Sequence, residues 1–94
     1  GLDNVVLNGA LGSIEGNATD CQTEEFIEKV LVIATQKPTK VSAVTDANGY
    51  YKLVDLEPGM WVLIAIKKGY KTHIARVKVE AGKAIRHNFC MEPN

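Results

Sequence analysis

The stretch that decides the fold is Thr45-Asp46-Ala47-Asn48-Gly49-Tyr50-Tyr51, a turn between two segments rich in β-branched and aromatic residues. Asp46 offers a side-chain acceptor for backbone N–H groups, and Asn48-Gly49 is a dipeptide that tolerates positive φ. A calcium loop would need further oxygen ligands and a bidentate glutamate after the glycine, where this chain has Tyr50-Tyr51-Lys52. We therefore interpret the stretch as a β-hairpin turn and predict no metal site in it.

The same rhythm continues along the chain, because short β-branched or aromatic runs recur about every 8 to 12 residues between turn residues. Glu57-Pro58-Gly59-Met60 fits a type II turn, with proline at its second position and glycine at its third. The pattern predicts an all-β sandwich or barrel. The candidate strands are Asn4–Asn8, Ser13–Ala18, Lys29–Thr35, Lys40–Thr45, Tyr50–Asp55, Trp61–Lys67, His73–Glu80 and Ala84–Met91.

The order and spacing of these pieces from Gly12 onward resemble the carboxypeptidase regulatory-like domain, which has a transthyretin-like (prealbumin-like) sandwich. The resemblance covers most of the chain. The matching pieces are Gly12-Ser13-Ile14-Glu15-Gly16, Phe26-Ile27-Glu28-Lys29-Val30-Leu31-Val32-Ile33-Ala34, Thr45-Asp46-Ala47-Asn48-Gly49-Tyr50-Tyr51-Lys52-Leu53, Leu56-Glu57-Pro58-Gly59-Met60-Trp61-Val62-Leu63, Lys68-Gly69-Tyr70-Lys71 and Val77-Lys78-Val79-Glu80-Ala81-Gly82-Lys83.

The resemblance implies a seven-stranded antiparallel sandwich of Greek-key type over residues 12–94, and the residues of the N-terminal segment predict an extra strand before it. It also implies a module without catalytic residues, which serves as a spacer, folding support or interaction domain. Residues 1–11 lie outside the pattern, so the resemblance says nothing about them. We treat them as an N-terminal extension and a candidate donated strand.

The charge balance and the lengths of the apolar runs argue against two classes of protein, nucleic-acid binders and membrane-spanning proteins. Eleven basic residues balance eleven acidic ones among 94, and the basic residues are scattered. A nucleic-acid binder normally has a basic stripe, so we expect no nucleic-acid partner. Apolar runs stay well short of the ~18 residues of a membrane helix, so we expect no membrane span.

Cys21 and Cys90 are too far apart in sequence for a CxxC redox or zinc motif. If they pair, closing a loop of about 70 residues contributes about 4 kcal/mol in the chain-entropy model. Such a disulfide would suit a secreted or cell-surface domain. The alternative is two unrelated free thiols.

His73 and His87 are the only histidines, and they lie on separate predicted strands. A hydrolase needs a nucleophile, a base and a group that orients the base. His87 shares its strand parity with Ile85, Phe89 and Met91, so we expect it at the edge of the core. We assign neither histidine a catalytic role. Because histidine and cysteine do not occur together at ligand spacing, we predict no metal and no cofactor.

Two further hypotheses concern carbohydrates on the surface of the domain, one of glycosylation and one of carbohydrate binding. Asn17-Ala18-Thr19 is a glycosylation sequon, and Asn17 has the strand parity opposite to the apolar positions around it. A carbohydrate platform is the second reading, suggested by four aromatic residues. Trp61 shares parity with Leu63 and Ala65, so we expect it in the core instead. The four aromatics are Tyr50, Tyr51, Trp61 and Tyr70.

The predicted strands Lys29–Thr35 and Trp61–Lys67 carry apolar side chains on both faces. A strand of an antiparallel sandwich usually alternates apolar and polar side chains. The outward set would expose large apolar side chains, which usually marks an interface. The extension Leu2–Leu11 is also strand-like and apolar. The predicted interface residues are Leu2, Val5, Val6, Leu7, Leu31, Ile33, Val62, Ile64 and Ile66.

These patterns lead to one principal hypothesis and one alternative. The principal hypothesis is a non-catalytic extracellular structural module that self-assembles into a filament or surface polymer, with the N-terminal strand docked on a neighbouring subunit. The alternative is a monomeric accessory, spacer or carbohydrate-binding domain of a larger secreted or cell-surface protein, with the extension folded back on its own sheet.

Overall fold

The computed structural model of the protein describes residues 10–94. The predicted strand Asn4–Asn8 and the predicted interface residues Leu2, Val5, Val6 and Leu7 lie outside this range. Within it, every regular element is a β-strand, as predicted. The eight strands are β1 (Gly12–Asp20), β2 (Leu31–Gln36), β3 (Thr39–Val44), β4 (Tyr50–Leu56), β5 (Gly59–Ile66), β6 (His73–Val79), β7 (Ala84–Arg86) and β8 (Phe89–Met91).

The strands form two four-stranded sheets. In the first sheet β1 is central, with β4 antiparallel on one side and β7 and β8 on the other. The second sheet has the order β3-β2-β5-β6 and is antiparallel throughout. The inner faces of both sheets supply one hydrophobic core, which includes Trp61, Tyr51 and Leu63.

Two details of the predicted sandwich are wrong. The run Ala84–Met91 is two short strands, so residues 10–94 hold eight strands and not seven. Both short strands pair with β1 in parallel, so the first sheet is mixed and not purely antiparallel. The run is interrupted because the side-chain oxygen of Asn88 accepts the backbone N–H of Asn17 at 2.9 Å, in place of a backbone carbonyl.

The turn at Asp46–Gly49 is not a hairpin, which corrects the sequence interpretation. β3 and β4 belong to different sheets, so the turn carries the chain from one sheet to the other. One carboxylate oxygen of Asp46 accepts the backbone N–H groups of Asn48 (2.8 Å) and Tyr50 (3.0 Å). Of the Asn48-Gly49 pair only the glycine has positive φ, at 69°.

Thr45, immediately before this turn, fixes the start of β2. Its buried hydroxyl donates to the carbonyl of Ile27 and accepts the backbone N–H of Val30, both at 2.8 Å. A buried hydroxyl with both partners costs little, whereas losing one partner leaves a polar group unsatisfied. Thr45 and Asp46 therefore have separate structural tasks on either side of the sheet crossing.

The largest core side chains carry polar groups that reach backbone acceptors at the core boundary. Trp61 Nε1 donates to the carbonyl of Glu57 at 2.8 Å, and the hydroxyl of Tyr51 donates to the carbonyl of His87 at 2.5 Å. Burial raises the pKa of Tyr51 far above its ordinary value, so its phenol stays protonated and keeps donating. These contacts allow two aromatic residues to be almost fully buried without an unsatisfied polar atom.

Two sets of interactions fix the C-terminal end of β1, a disulfide and the hydrogen bonds of Asp20. Cys21 and Cys90 form a disulfide that links residues 69 apart in sequence. Beside it, Asp20 accepts the backbone N–H groups of Gln22 (2.7 Å) and Thr23 (3.0 Å) and the hydroxyl of Tyr70 (2.8 Å). These three donors hold the pKa of Asp20 below its ordinary value.

Gly16, at the middle of β1, is where the chain after β7 passes closest. A Cβ atom there would overlap the carbonyl oxygen of His87, which belongs to the backbone and cannot swing away. The backbone N–H of His87 donates to the carbonyl of Glu15 at 2.8 Å, so the close approach is part of the strand pairing. Glycine is required at position 16 for space and not for its φ.

We predict that Gly16→Ala lowers the free energy of unfolding by about 1–3 kcal/mol, because the added methyl overpacks a fixed backbone. Chemical denaturation followed by tryptophan fluorescence measures this through Trp61. Ser13→Ala on the outer side of the same strand is the matched control, expected within about 0.5 kcal/mol of the wild type. Equal stabilities for the two variants would contradict the close-approach argument.

For Asp20 we predict a stability difference that depends on pH. Because its folded pKa is lowered, the ionised carboxylate contributes stability above the unfolded pKa of about 3.9, and this contribution is lost as pH falls through the folded pKa. At pH 7, Asp20→Asn should therefore have a lower thermal midpoint than the wild type, and the gap should narrow below about pH 4. Thermal melts of both proteins from pH 7 to pH 2 measure it. A gap that does not change with pH would show that the charge is irrelevant.

Candidate functional site

The outer face of the β3-β2-β5-β6 sheet is the most distinctive surface of the described chain. Strand pairing places Leu31 between Val44 and Ile66, so three apolar side chains form one row across the sheet. The next row holds Ile33, Ile64 and Ile74, which are also aligned by pairing. Two adjacent apolar rows make a continuous patch on a face that would normally be polar.

Exposure measures how much of this patch faces water. Ile74 is 65% exposed, Val44 58% and Ile66 43%. Burying such side chains would contribute a free energy of about 25 cal/mol per Å² of apolar surface, and this contribution is absent while they are exposed to water. Contiguous exposed patches of this kind usually mark an interaction site. We call Leu31, Ile33, Val44, Ile64, Ile66 and Ile74 the apolar face.

Strand pairing shows where the predicted interface residues of these two strands lie, and their role in an interface stays a prediction. Pairing brings Leu31, Ile33, Ile64 and Ile66 together, and Val62 lies in the next row beside Thr35 and Arg76. The sequence analysis missed Val44 and Ile74. Val44 ends a strand whose other outward residues are Lys40 and Ser42, so its own strand gave no sign of an apolar surface.

A basic border closes one end of the apolar face. Lys40 and Arg76 flank the row of Thr35 and Val62, and Lys78 pairs with Met60 one row further on. Along the strands, the surface thus changes from apolar, apart from Ser42 on the edge strand, to partly cationic within two rows.

The outer face of the other sheet has the opposite character. Glu15 and Arg86 form an ion pair at 3.3 Å, and Arg86 also donates to the side-chain oxygens of Asn17 (3.4 Å) and Asn88 (3.3 Å). The side-chain amide of Asn17 donates to the carbonyl of Asn48 at 2.9 Å. The sequon asparagine therefore lies on this polar face, partly exposed, and its glycosylation stays a prediction.

A shallow depression of about 420 Å³ lies at one end of the polar face. Phe26, which is 58% exposed, forms one wall, and the polar wall includes Asn17, Thr19 and Asn88. Phe26 stands next to Thr19 through an isolated bridge between their backbones. The aromatic residues that the sequence suggested for a sugar platform do not line this depression. Trp61 and Tyr51 are buried in the core, and the hydroxyl of Tyr70 donates a hydrogen bond to Asp20.

His73 and His87 meet although they lie 14 residues apart on different sheets. Their Nε2 atoms are 3.3 Å apart, and both rings stack on Phe89. Partial burial lowers the pKa of both imidazoles, and the neighbouring His87 lowers that of His73 further. The sequence placed His87 correctly at the edge of the core, but the meeting with His73 depends on sheet packing that no local pattern reveals.

The described residues also limit other site types. Between residues 10 and 94, no set of three or more histidine, cysteine, aspartate or glutamate side chains is arranged to hold a metal ion. In the same range, no helix is long and apolar enough to cross a membrane.

Comparison with known proteins supports the architecture. The sequence model of the carboxypeptidase regulatory-like domain matches residues 13–92. A search of curated protein sequences returns no significant match.

Solved structures share the fold at low sequence identity. The TIE protein of Bacillus anthracis is similar with a TM-score of 0.77 and 17% identity, over 89% of this chain and 17% of that one. The minor pilin GBS52 of Streptococcus agalactiae has a TM-score of 0.73 and 18% identity, over 90% of this chain and 45% of the pilin. A 3-chlorocatechol 1,2-dioxygenase from Rhodococcus opacus has a TM-score of 0.73 and 14% identity, over 92% and 61%.

This chain therefore spans less than two thirds of the length of each of these proteins. A pilin and an oxygenase share the same sandwich, so the fold alone does not determine what the domain does. The surface chemistry of this chain has to carry any statement about its function.

Proposed function

Because this chain belongs to the carboxypeptidase regulatory-like domain family, we propose that it is a non-catalytic structural module of a secreted or cell-surface protein, acting through protein–protein contacts. The apolar face is the observation that carries the proposal. The disulfide supports the location, because disulfides persist mainly in oxidising compartments outside the cytosol.

A structural role also agrees with what the titratable side chains do. Asp20 and Asp46 accept backbone N–H groups in turns, and Glu15 pairs with Arg86. The phenol of Tyr51 is committed to a backbone carbonyl. These groups stabilise turns and strand pairing, so they favour a scaffold over a reactive site.

The partner we propose for the apolar face is a second copy of the chain. The chain carries no net charge, so long-range repulsion does not oppose self-association. Two copies that pack these faces together in opposite directions would bury the apolar rows of both. Such a contact is isologous and closes into a dimer.

The second contact in the proposal is the N-terminal extension, docked as a strand on a neighbouring subunit. Its apolar residues, with the run Val5-Val6-Leu7 at the centre, suit strand addition, in which backbone hydrogen bonds give affinity and alternate side chains fix register. Leu11 enters the fold on the first sheet, where the backbone N–H of Gly82 donates to its carbonyl at 3.0 Å. A head-to-tail contact of this kind propagates as a filament unless it closes into a ring.

The test separates the two contacts by light scattering and electron microscopy of the full chain. Ile66→Lys combined with Ile74→Lys should weaken dimerisation by about tenfold or more, since each replaces an apolar contact with a charge that the interface would have to desolvate. Val54→Lys is the matched control, because Val54 is 48% exposed on the other sheet. Deleting residues 1–10 should abolish filaments and leave the dimer.

Two results would contradict the proposal. A full chain that stays monomeric at all concentrations would remove self-association altogether. Equal loss of mass from Val54→Lys and from the double variant would show that the apolar face is not the contact.

A second candidate function is carbohydrate binding, favoured by the depression beside Phe26. An exposed aromatic ring next to amide and hydroxyl groups offers a sugar both a stacking surface and hydrogen bonds. If this function holds, a glycan array should give ligands whose binding is lost in Phe26→Ala and retained in Val54→Ala. An array without ligands, or retained binding in Phe26→Ala, would reject it.

A further inference from the structure

The pair formed by His73 and His87 lies where the two sheets approach each other at an open edge of the sandwich. His73 is the first residue of β6, the edge strand of its sheet, and His87 lies between β7 and β8 on the other sheet. Both side chains are partly exposed. The two imidazoles therefore bridge the sheets and remain reachable from solvent.

The spacing of the two rings matches that of two ligands on one metal ion. The Nε2 atoms are 3.3 Å apart. A tetrahedral ion with metal–nitrogen bonds of about 2.0–2.1 Å places two of its ligand nitrogens about 3.3–3.4 Å apart. The two nitrogens thus already have the separation that a shared ion requires.

The surroundings hold both rings near this arrangement. The ring of His73 stacks on that of Phe89 with centroids 4.5 Å apart and planes 5° from parallel, and His87 stacks on the same ring at 5.7 Å. The backbone of His87 is held by the hydroxyl of Tyr51 and by the carbonyl of Glu15. Ligands held in position by packing lose little freedom on binding.

We propose that His73 and His87 form a binding site for a divalent transition-metal ion of the zinc, copper or nickel class, with water completing the coordination. Imidazole suits these ions, whereas calcium and magnesium prefer oxygen ligands. Two protein ligands predict modest affinity. A bound ion would clamp β6 to the β7–β8 segment and so stabilise the folded state.

The protonation states suit this role. Partial burial lowers the pKa of both imidazoles and so favours the neutral rings that metal ions bind. A hydrogen bond between the two neutral rings requires one Nε2 to carry a proton and the other to accept it. Metal binding requires the donor ring to carry its proton on Nδ1 instead, a change of tautomer that releases no proton from the neutral pair.

The whole sequence contains only these two histidines, which makes the experiment clean. Both cysteines are in the disulfide, so no thiol competes for the ion. The full chain is used without a polyhistidine tag, at a protein concentration where light scattering gives a monomer. Isothermal titration and thermal unfolding are measured with copper(II), nickel(II), zinc and magnesium chlorides, each alone.

We expect saturable binding of copper, nickel and zinc, tightest for copper in accordance with the Irving–Williams order, and no binding of magnesium. Saturating zinc should raise the thermal midpoint by several degrees. His73→Gln and His87→Gln, one on each sheet, should each lose the binding and the thermal shift. Lys71→Gln is the control for a change near β6 that leaves both imidazoles, and it should behave as the wild type.

Three results would overturn the proposal. The first is no binding of copper or zinc at millimolar concentration, which leaves the pair as a hydrogen bond only. The second is wild-type affinity in both histidine variants, which places the ion elsewhere. The third is an equal thermal shift with magnesium. If one variant fails to fold, the other decides the question, and none of these results depends on self-association.

Discussion

The backbone of β1 is the structural element on which the rest of the first sheet depends. One edge of β1 pairs with β4, and the other edge pairs with β7 and β8. Every other strand of the first sheet is therefore held in that sheet by its pairing with β1. The turn between the sheets is also attached to it, because the N–H of Ala18 donates to the carbonyl of Gly49 at 2.8 Å. This crowding explains why glycine stands at position 16.

The sequence predicted the elements of the fold well and their partners less well. Seven of the eight predicted strands fall in the described range, and strand positions followed from alternation and turn residues, which are local signals. The role of Asp46–Gly49 was misjudged, because a tight turn within one sheet and a crossing between sheets use the same residues. Only the pairing of β3 with β2, and of β4 with β1, distinguishes them.

The candidate interaction surface likewise depends partly on local sequence patterns and partly on strand pairing. Doubly apolar strands were visible in the sequence, so Leu31 and Ile64 could be identified without a structure. Ile74 could not, because it stands in a strand with Arg76 and Lys78 and joins the patch only through its pairing with Ile64. The contact of His73 with His87 likewise depends on how two sheets are stacked. Local patterns thus locate strands, and tertiary register decides which surfaces they build.

The disulfide also determines how the domain would respond to mechanical tension along its chain. Force applied at residues 10 and 94 enters β1 and leaves just after β8, and the bond between Cys21 and Cys90 joins the far end of β1 to β8 directly. The 68 residues between the two cysteines are therefore outside the load path, and roughly 220–240 Å of chain cannot be pulled out while the bond is intact. Because β1 and β8 run parallel, tension loads their hydrogen bonds in shear, all at once, and does not open them one after another. A domain built in this way would lengthen by only a few residues under tension and would keep its apolar face intact.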